Sequence, residues 1–244
     1  MDKNTIKEFL LELFFPSFCL GCGREGFLLC QDCKSILEIS EYNYCLCSKN
    51  PLRIALQDKL QGKCSRCKDK KLSGLYSALP YKEKALTKKL IYQFKYAPYL
   101  KSLSKVLAGI IMEHLLLAKN NQEKIWQNSA LIPVPLEKKR LKNRGYNQAE
   151  ELAKELGQLI NVPSVLDNLS KIRETLPQAT LSAKKREENL KDAFVVKNPL
   201  TVKGRKVFLI DDVYTTGSTM EECAKTLKLA GAKSVWGVAI AREG

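Results

Sequence analysis

Residues 207–219, with the sequence VFLIDDVYTTGST, join an apolar run to two adjacent acids and a turn rich in hydroxyl groups. A strand that ends in a tight turn and opens a helix points several backbone N–H groups at one place, where the helix N-terminus adds partial positive charge. Gly217 permits close approach of the backbone to a ligand, and the hydroxyl groups add hydrogen-bond donors. The turn therefore predicts a phosphate site formed by Thr215, Thr216, Gly217, Ser218 and Thr219.

Asp211 and Asp212 stand directly before this turn and would repel a phosphate group that they faced. At about the length of one sugar from the phosphate, they can instead accept hydrogen bonds from vicinal ribose hydroxyls. The carboxyl end of a parallel strand is where α/β proteins bind ligands, so the whole stretch predicts a sugar-phosphate site. An N-capped helix after a solvated acidic turn would explain TTGST, but not the apolar FLI that leads into the acids.

The cysteines indicate metal binding. Eight of the nine lie within residues 19–67, and the reducing cytosol favours metal sites over disulfides. Pairs of the C-x2-C type suit four thiolates around a tetrahedral zinc ion, a structural arrangement with no position left for a substrate. The third pair is C-x-C, one residue shorter than the usual knuckle, so the second site is the less regular one. We predict one or two zinc ions, held by Cys19, Cys22, Cys30 and Cys33 and by Cys45, Cys47, Cys64 and Cys67.

The composition limits the class of protein. A chain of 244 residues with 45% hydrophobic and 27% charged residues can bury a core and is not expected to be disordered. Its net charge of +15 favours an anionic partner such as nucleic acid, a phosphorylated metabolite or acidic lipid, with a merely soluble basic surface as the alternative. No apolar run reaches the roughly 18 residues that a membrane span needs, and we expect a cytoplasmic protein.

Strand-like and helix-like patterns alternate after the cysteine-rich segment. Helices are predicted over 82–95, 101–118, 147–160 and 218–232, and strands over 74–81, 130–134, 165–172, 206–210 and 234–241. The alternation predicts an α/β fold with a parallel sheet covered by helices on both faces, and Cys223 is expected in its core. We expect two domains: residues 1–72, a short amphipathic helix before Pro16 followed by the zinc module, and residues 73–244, the α/β domain.

Residues 207–219 resemble the signature of the type I phosphoribosyltransferases, with four apolar residues, two acids and a Thr/Gly-rich loop. The resemblance implies a type I phosphoribosyltransferase-like domain that binds phosphoribosyl pyrophosphate (PRPP). It implies that Asp211 and Asp212 are catalytic residues on the ribose hydroxyls and that residues 215–219 surround the 5-phosphate. It also implies a Mg²⁺ ion held mainly by pyrophosphate and ribose oxygens of PRPP.

Three further blocks resemble the ComF family, which includes competence proteins and in which an N-terminal double zinc ribbon is typical. LIPVPLEKKRLKNRGYNQAEELAKELG is similar to its PVP…RGxNQ block, and LIYQFKY is similar to an early segment that contains Lys95. The third block, RETLPQATLSAKKREENLKDAF, matches at Arg173, Thr175, Gln178, Leu181, Arg186, Asn189 and Phe194.

The same blocks supply basic residues for a pyrophosphate group. PVP follows a predicted strand, so its loop is expected near the phosphate turn, and arginines after it can bind pyrophosphate in bidentate geometry. The long, polar and basic segment 173–189 suits a lid over an anionic ligand. A generic basic surface is the alternative, mainly for Lys138 and Lys139. The predicted pyrophosphate and lid residues are Arg140, Arg144, Arg173, Arg186 and Lys95.

These patterns leave two functions open. One is phosphoribosyl transfer through a ribosyl oxocarbenium-like state, in which the acids soften the positive charge while Mg²⁺ and arginines stabilise departing pyrophosphate. The other is a non-catalytic role in DNA uptake, in which single-stranded DNA or a competence helicase binds the zinc module and the basic surface. Aromatic candidates for base stacking there are Phe27, Tyr42 and Tyr44. No residue stands out as a nucleophile or as a nucleobase-recognition group, so whether the chain is an enzyme is left open.

Overall fold

The structure of this chain, a computed structural model, describes residues 16–54, 62–82, 85–96, 99–118, 123–173 and 189–243. The predicted amphipathic helix before Pro16 lies outside these residues. Most of the predicted lid also lies outside them, including Thr175, Gln178, Leu181 and Arg186.

Helices and strands alternate along most of the described chain. The helices are α1 (Gln31–Ser35), α2 (Leu86–Lys95), α3 (Leu103–Leu117), α4 (Glu123–Trp126), α5 (Lys138–Arg144), α6 (Gln148–Ile160) and α7 (Ser218–Leu229). The strands are β1 (Gly74–Pro80), β2 (Ser129–Pro133), β3 (Leu169–Lys171), β4 (Phe194–Val196), β5 (Lys206–Tyr214) and β6 (Ser234–Arg242). Among the described helices, none combines the length and the apolar character needed to cross a bilayer.

A parallel sheet with the strand order β1-β6-β5-β2 forms the centre of the fold. In β5, Ile210 lies opposite Val238 of β6 on one side and Pro133 of β2 on the other. Because parallel strands are buried on both faces, they show continuous apolar runs such as VFLI rather than alternation with polar residues. The prediction of an α/β fold is confirmed.

Helices cover both faces of this sheet and create two apolar cores. On one face, Phe208 and Ile210 of β5 pack in a core with residues of α2, α3 and α6. On the other face, Val207 and Leu209 pack against α7, where Cys223 is fully buried as expected. The alternation follows from the period of two in a strand.

The predicted strand 165–172 is shorter than expected and lies outside the main sheet. Only Leu169–Lys171 forms a strand, and it pairs antiparallel with β4. The Asn168 side chain joins this segment to residues 198–201, because it accepts the Asn198 N–H at 2.7 Å and donates to Thr201 Oγ1 at 2.7 Å. The β3–β4 pair, called the hood below, lies beside the carboxyl edge of the main sheet.

Two other elements at this edge differ from expectation. Helix α5 was not predicted, because KKRLKNR has no apolar face and none of its residues is buried. It ends at Gly145, whose φ of 80° is a left-handed conformation that favours glycine. Strand β5 continues to Tyr214 rather than ending at 210, since Asp211 and Val213 still pair with β6.

The cysteine-rich segment packs directly onto the α/β fold. Leu46 and Leu72 are fully buried in the core that contains α7. Leu37 belongs to the core on the opposite face, and the Ser40 N–H donates to the carbonyl oxygen of Ala78 in β1 at 2.8 Å. The division into two domains at residue 72 stays a prediction.

Candidate ligand-binding site

A cavity of about 610 Å³ opens at the carboxyl edge of the sheet, between the ends of β2 and β5. The chain leaves β2 toward α6 on one face and leaves β5 toward α7 on the other, so this is a topological switch point. The fold thereby brings together residues from α2, α5, β5 and α7. The predicted site residues that line the cavity are Lys95, Arg140, Arg144, Asp211, Asp212, Thr215 and Thr219.

The two acids project toward opposite faces of the sheet, as successive residues of a strand do. Asp212 faces α2, where its carboxylate lies 2.8 Å from the Lys95 ammonium. Asp211 lies toward Cys223 of α7, and its Oδ1 accepts the Asp212 N–H at 2.8 Å. Burial acts to lower the pKa of Lys95, but the charge and hydrogen bond of Asp212, together with the charge of Asp211, outweigh burial and raise that pKa. Lys95 therefore forms its ion pair with Asp212, although its charge also acts on Asp211.

Asp211 ionises at an unusually high pH for a carboxyl group. Burial, and after it the Asp212 carboxylate, raises the pKa of Asp211 to about 7. The Lys95 ammonium and the Asp212 N–H act to lower this pKa, but their effect is smaller than that of burial and the second carboxylate. Near neutral pH this acid is therefore divided between its neutral and charged forms, and a cation or hydrogen-bond donor in the cavity would favour the charged form.

The turn 215–219 has the geometry of an anion site. Gly217 is the N-cap residue of α7, with a φ of 79°. A Cβ at that position would lie 2.3 Å from the Tyr214 hydroxyl oxygen, so packing as well as conformation requires glycine there. The hydroxyl oxygens of Thr216 and Ser218 lie 2.9 Å apart within the turn, at hydrogen-bond distance. The first N–H groups of a helix lack intrahelical partners, so they can bind an anion here.

Asn147 ties the opposite wall of the cavity to the loop after β2. Its Oδ1 accepts the Ala149 N–H at 3.1 Å and so caps α6, while its Nδ2 donates to the Val134 carbonyl at 3.0 Å. These two contacts explain why an asparagine suits the fourth position of RGYNQ. They fix the start of α6 beside the end of β2.

Gln148 holds Arg144 at the cavity. Its Oε1 accepts a hydrogen bond from the Arg144 guanidinium, and its Nε2 donates to the Phe94 carbonyl at 3.1 Å. The Tyr146 hydroxyl donates to the same carbonyl at 2.6 Å. Arg144 Cζ also lies 5.6 Å from the centroid of the Tyr96 ring, within cation–π range. The guanidinium is therefore oriented before any ligand arrives.

The other predicted basic residues lie in different places. Arg140 lines the cavity, with its Nε 3.9 Å from a Glu137 carboxylate oxygen. Arg173 is exposed and donates to the carbonyl oxygens of Asn189 at 3.0 Å and Lys191 at 2.8 Å, away from the cavity lining. Because Arg186 lies outside the described residues, the assignment of Arg173 and Arg186 to a lid stays a prediction.

Several cavity residues were not identified from the sequence. Glu137, Tyr96 and Tyr99 line the cavity, and Lys171 reaches it from the hood. The Lys171 ammonium lies 4.0 Å from Glu137, and burial lowers the pKa of this lysine. Glu137 could have been found because it follows PVPL, whereas nothing near Lys171 in the sequence distinguishes it from the other lysines.

Both predicted cysteine groups are compact clusters, in each of which the Sγ atoms all lie within 4.8 Å of one another. The Sγ atoms of Cys22 and Cys30 are 3.6 Å apart, and so are those of Cys47 and Cys64. Four sulfurs at about 2.3 Å from a tetrahedral zinc ion lie about 3.8 Å apart, which fits these clusters. The two groups could therefore hold zinc, and the shorter C-x-C pair does not prevent the second group from forming.

Comparison with known proteins gives a family and several relatives. The profile of the family described as "Phosphoribosyl transferase domain" matches residues 115–243. Competence protein ComFC of Streptococcus pneumoniae is 33% identical over 212 residues, which cover 85% of this chain and 84% of that protein. Competence protein F of Haemophilus influenzae is 44% identical over 115 residues, which cover 45% of this chain and 49% of that protein. DNA utilization protein YhgH of Salmonella typhimurium is 32% identical over 146 residues, which cover 60% of this chain and 63% of that protein.

Proposed function

Because this chain belongs to the ComF family of proteins with a phosphoribosyl transferase domain, we propose that its cavity binds PRPP. The observation that supports this most directly is the place of Asp211, Asp212 and the turn 215–219 at the switch point of a parallel sheet. Phosphate on the turn, ribose hydroxyls on the acids and pyrophosphate toward Arg140 and Arg144 would match the charges along the cavity.

The reaction that we propose is phosphoribosyl transfer. The bond between ribose C1′ and the pyrophosphate oxygen breaks, and its electron pair leaves with pyrophosphate. A new bond forms between C1′ and a nucleophilic acceptor, which gives up a proton. Asp211, and Asp212 with its partner Lys95, would hold the ribose hydroxyls and stabilise positive charge on the ring. Arg140 and Arg144 would balance the charge of the departing pyrophosphate.

A Mg²⁺ ion bound with PRPP would further neutralise the pyrophosphate. Carboxylate oxygens are the protein ligands that this ion prefers, and the cavity offers those of Asp211 and Glu137 beside the ligand's own oxygens, since Asp212 is paired with Lys95. A cytoplasmic location, where PRPP and reduced thiols occur together, belongs to the same proposal.

Calorimetry with PRPP and Mg²⁺ tests this proposal on the wild-type chain and on Asp212→Asn. The variant keeps the shape of the side chain but loses its charge, so PRPP binding should weaken by about 1.5–3 kcal/mol, the range for hydrogen bonds to charged groups. That change corresponds to roughly 10- to 150-fold in affinity. Inorganic pyrophosphate has no ribose and should lose little affinity.

Asp167→Asn is the matched control, because Asp167 is exposed and pairs with Lys197 at 2.6 Å, away from the cavity lining. It should leave both affinities unchanged. A wild-type chain that does not bind PRPP would contradict the proposal, and an equal loss of PRPP and pyrophosphate affinity in Asp212→Asn would contradict the ribose assignment. Release of pyrophosphate from PRPP on addition of nucleobases then tests transfer itself.

A second function, binding of single-stranded DNA, is supported by an exposed row of Tyr92, Tyr96 and Tyr99, called the tyrosine strip here. Tyr92 and Tyr96 are 53% and 48% exposed, and their ring centroids are 4.8 Å apart. Tyr99 continues the row to the cavity, while Lys88 and Lys89 lie beside Tyr92 on α2. Stacked aromatic rings next to lysines suit the bases and backbone of a single strand. The names of the relatives, competence and DNA utilization proteins, agree with this choice of ligand.

The aromatic residues considered in the cysteine-rich segment are less suitable for stacking. The Arg53 guanidinium lies 3.0 Å from the centroid of the Tyr42 ring and so covers it. Tyr44 forms a backbone bridge with Arg53, and Phe27 is 54% exposed but has no described aromatic neighbour. We therefore propose that DNA binds the tyrosine strip, and a competence helicase as partner stays a prediction.

Fluorescence anisotropy with labelled oligothymidylate tests the DNA proposal. The double variant Tyr92→Ala with Tyr96→Ala should lose about 1–3 kcal/mol per stacked base, whereas the similarly exposed Phe27→Ala should bind as the wild type does. Charge reversal of Lys138 and Lys139 should reduce the dependence of affinity on salt. For single strands, the slope of log K against log[salt] is about −0.7 per phosphate contact. Reversal of Lys203 and Lys233, exposed at the amino edge of the sheet, is the control. Equal effects of both lysine pairs would assign the binding to bulk charge and contradict a defined surface.

A further inference from the structure

The ring of Tyr214 lies directly beneath the turn 215–219. Tyr214 is the last residue of β5, and a Cβ on Gly217 would lie 2.3 Å from its hydroxyl oxygen and 2.5 Å from its Cζ. The backbone of the turn therefore rests on this ring. A displacement of the ring would disturb the direction of the N–H groups that make the anion site.

The Tyr214 hydroxyl is held by the second cysteine group, which consists of Cys45, Cys47, Cys64 and Cys67. It donates a hydrogen bond to the carbonyl oxygen of Leu46 at 3.0 Å, and Leu46 is the residue between the first two of these cysteines. The Lys70 ammonium lies 3.4 Å from the same hydroxyl oxygen. Because Leu46 and Tyr214 are both buried in one core, water cannot readily replace this hydrogen bond.

Arg242 makes a second connection from the sheet to the same cysteines. This last residue of β6 is buried, and it donates to the carbonyl oxygens of Cys45 at 3.1 Å and Cys47 at 2.7 Å. Its Cζ lies 5.7 Å from the centroid of the Tyr214 ring. Among the described residues, no carboxylate forms an ion pair with Arg242, and the four thiolates of a zinc-bound group would supply negative charge on this side of the sheet.

Glu221 makes a third connection, from the first turn of α7. Its carboxylate accepts the backbone N–H groups of Lys71 and of Leu72, the latter at 3.2 Å. These residues follow the Cys64–Cys67 knuckle, and the Lys70 N–H still donates to the Cys67 carbonyl at 3.2 Å. The second cysteine group and the residues that follow it therefore contact Tyr214, which precedes the turn 215–219, and Glu221, which follows it.

The first cysteine group, which consists of Cys19, Cys22, Cys30 and Cys33, packs elsewhere. Leu29 and Leu86 pack against it, the latter at the start of α2. Within the described part of the chain, no hydrogen bond joins this group to Tyr214, Arg242 or the turn 215–219. The two groups are therefore not equivalent with respect to the cavity.

We propose that the second cysteine group, with zinc bound, positions the turn 215–219 for phosphate through Tyr214, Arg242 and Glu221, and that the first group does not. This inference rests on the proposed phosphate site. Tyr214 and Arg242 are positioning residues, since they act on the ligand only through the turn. Loss of the second zinc would let the Leu46 carbonyl move. The Tyr214 ring, against which Gly217 packs, would then lose its hydrogen-bond partner.

The experiment compares Tyr214→Phe with Tyr76→Phe in the full-length, zinc-loaded chain. Tyr214→Phe removes the hydroxyl but keeps the ring below Gly217, and it should retain both zinc ions by elemental analysis. Tyr76→Phe removes the hydroxyl of a tyrosine that is buried on the other face of the sheet. We expect affinity for PRPP and for inorganic phosphate to fall together about 3- to 10-fold in Tyr214→Phe and less than twofold in Tyr76→Phe, by calorimetry.

Loss of single zinc ions provides the second comparison. Cys64→Ser and Cys22→Ser should each reduce the zinc content from two ions to one. Phosphate and PRPP affinity should fall at least tenfold in Cys64→Ser and less than twofold in Cys22→Ser. If Cys64→Ser does not fold, the Tyr214→Phe comparison decides.

Hydrogen exchange measured by mass spectrometry gives a readout without any ligand. Exchange in the peptide 213–222 should become faster in Tyr214→Phe and in Cys64→Ser, while exchange in α3 stays unchanged. Wild-type exchange rates and wild-type affinities in both variants would overturn the inference. If the wild type binds neither PRPP nor phosphate, the proposed function fails, and the exchange rates alone decide whether the second group positions the turn.

Discussion

Asp211 and Asp212 are neighbours in the chain but have different surroundings. Asp212 has the Lys95 ammonium at 2.8 Å, whereas burial and the second carboxylate raise the pKa of Asp211 to about 7. The difference arises because a strand directs successive side chains to opposite faces. The charge of this acidic pair therefore changes close to neutral pH, as that of two solvated aspartates would not.

We predict that Asp211→Asn removes a pH dependence of stability. The pKa of Asp211 is raised from 3.8 to about 7 on folding, so the folded chain binds the proton more tightly than the unfolded chain. The stabilisation from this proton is fully present below pH 3.8 and is lost as the pH rises through about 7. Thermal unfolding should show that the variant gains more over the wild type at pH 8 than at pH 5. An equal difference at both pH values would contradict the raised pKa.

The raised pKa of Asp211 also predicts how PRPP affinity depends on pH. The charged carboxylate is the better acceptor for ribose hydroxyls, so wild-type affinity should fall as the pH is lowered from 8 to 6. The affinity of Asp211→Asn should follow only the titration of the ligand's own phosphate, whose second pKa is about 6. Parallel pH profiles for the two proteins would show that Asp211 does not contact the ribose.

At the scale of elements, the turn from β5 to α7 forms the proposed phosphate site, and two separate features require glycine at position 217. Gly217 has a φ of 79°, and the Tyr214 ring occupies the space that a Cβ would need. Gly204 has a similar φ of 72°, but a Cβ there would meet nothing within 4 Å. Comparison of the two glycines therefore separates the effect of backbone conformation from the effect of packing against Tyr214.

We predict that Gly204→Ala loses only the roughly 1–2 kcal/mol of a left-handed residue that bears a Cβ. Gly217→Ala should lose more stability, because the Tyr214 ring must also move, and its affinity for inorganic phosphate should fall at least tenfold. Urea unfolding measures the first effect and calorimetry the second. Similar stability losses in the two variants, with phosphate affinity retained in both, would show that the ring does not support the turn.

At the scale of the whole molecule, the cysteine-rich segment packs against elements that form the cavity, although none of its described residues lines the cavity. Leu46 and Leu72 are buried in the core below α7, and Arg242 at the end of β6 reaches the carbonyl oxygens of Cys45 and Cys47. The spacing of the cysteines predicts where zinc can bind, but not that one group lies next to the residues that support the turn 215–219. The contacts join residues almost 200 positions apart, as the separation of 197 between Arg242 and Cys45 shows.

Local patterns in the sequence were sufficient to predict the parallel sheet, the two cysteine groups, and the strand, turn and helix N-terminus within residues 207–219. Each depends on neighbours in the chain: a buried strand on a continuous apolar run, a zinc knuckle on cysteine spacing, and a helix N-terminus on a glycine between hydroxyl residues. Long-range packing was needed to place Lys95 on Asp212, to bring Glu137 and Lys171 into the cavity, and to set Tyr214 on the Leu46 carbonyl. These contacts depend on side-chain directions and on the order of strands in the sheet, which no short window of sequence contains, because they exist only when distant segments meet.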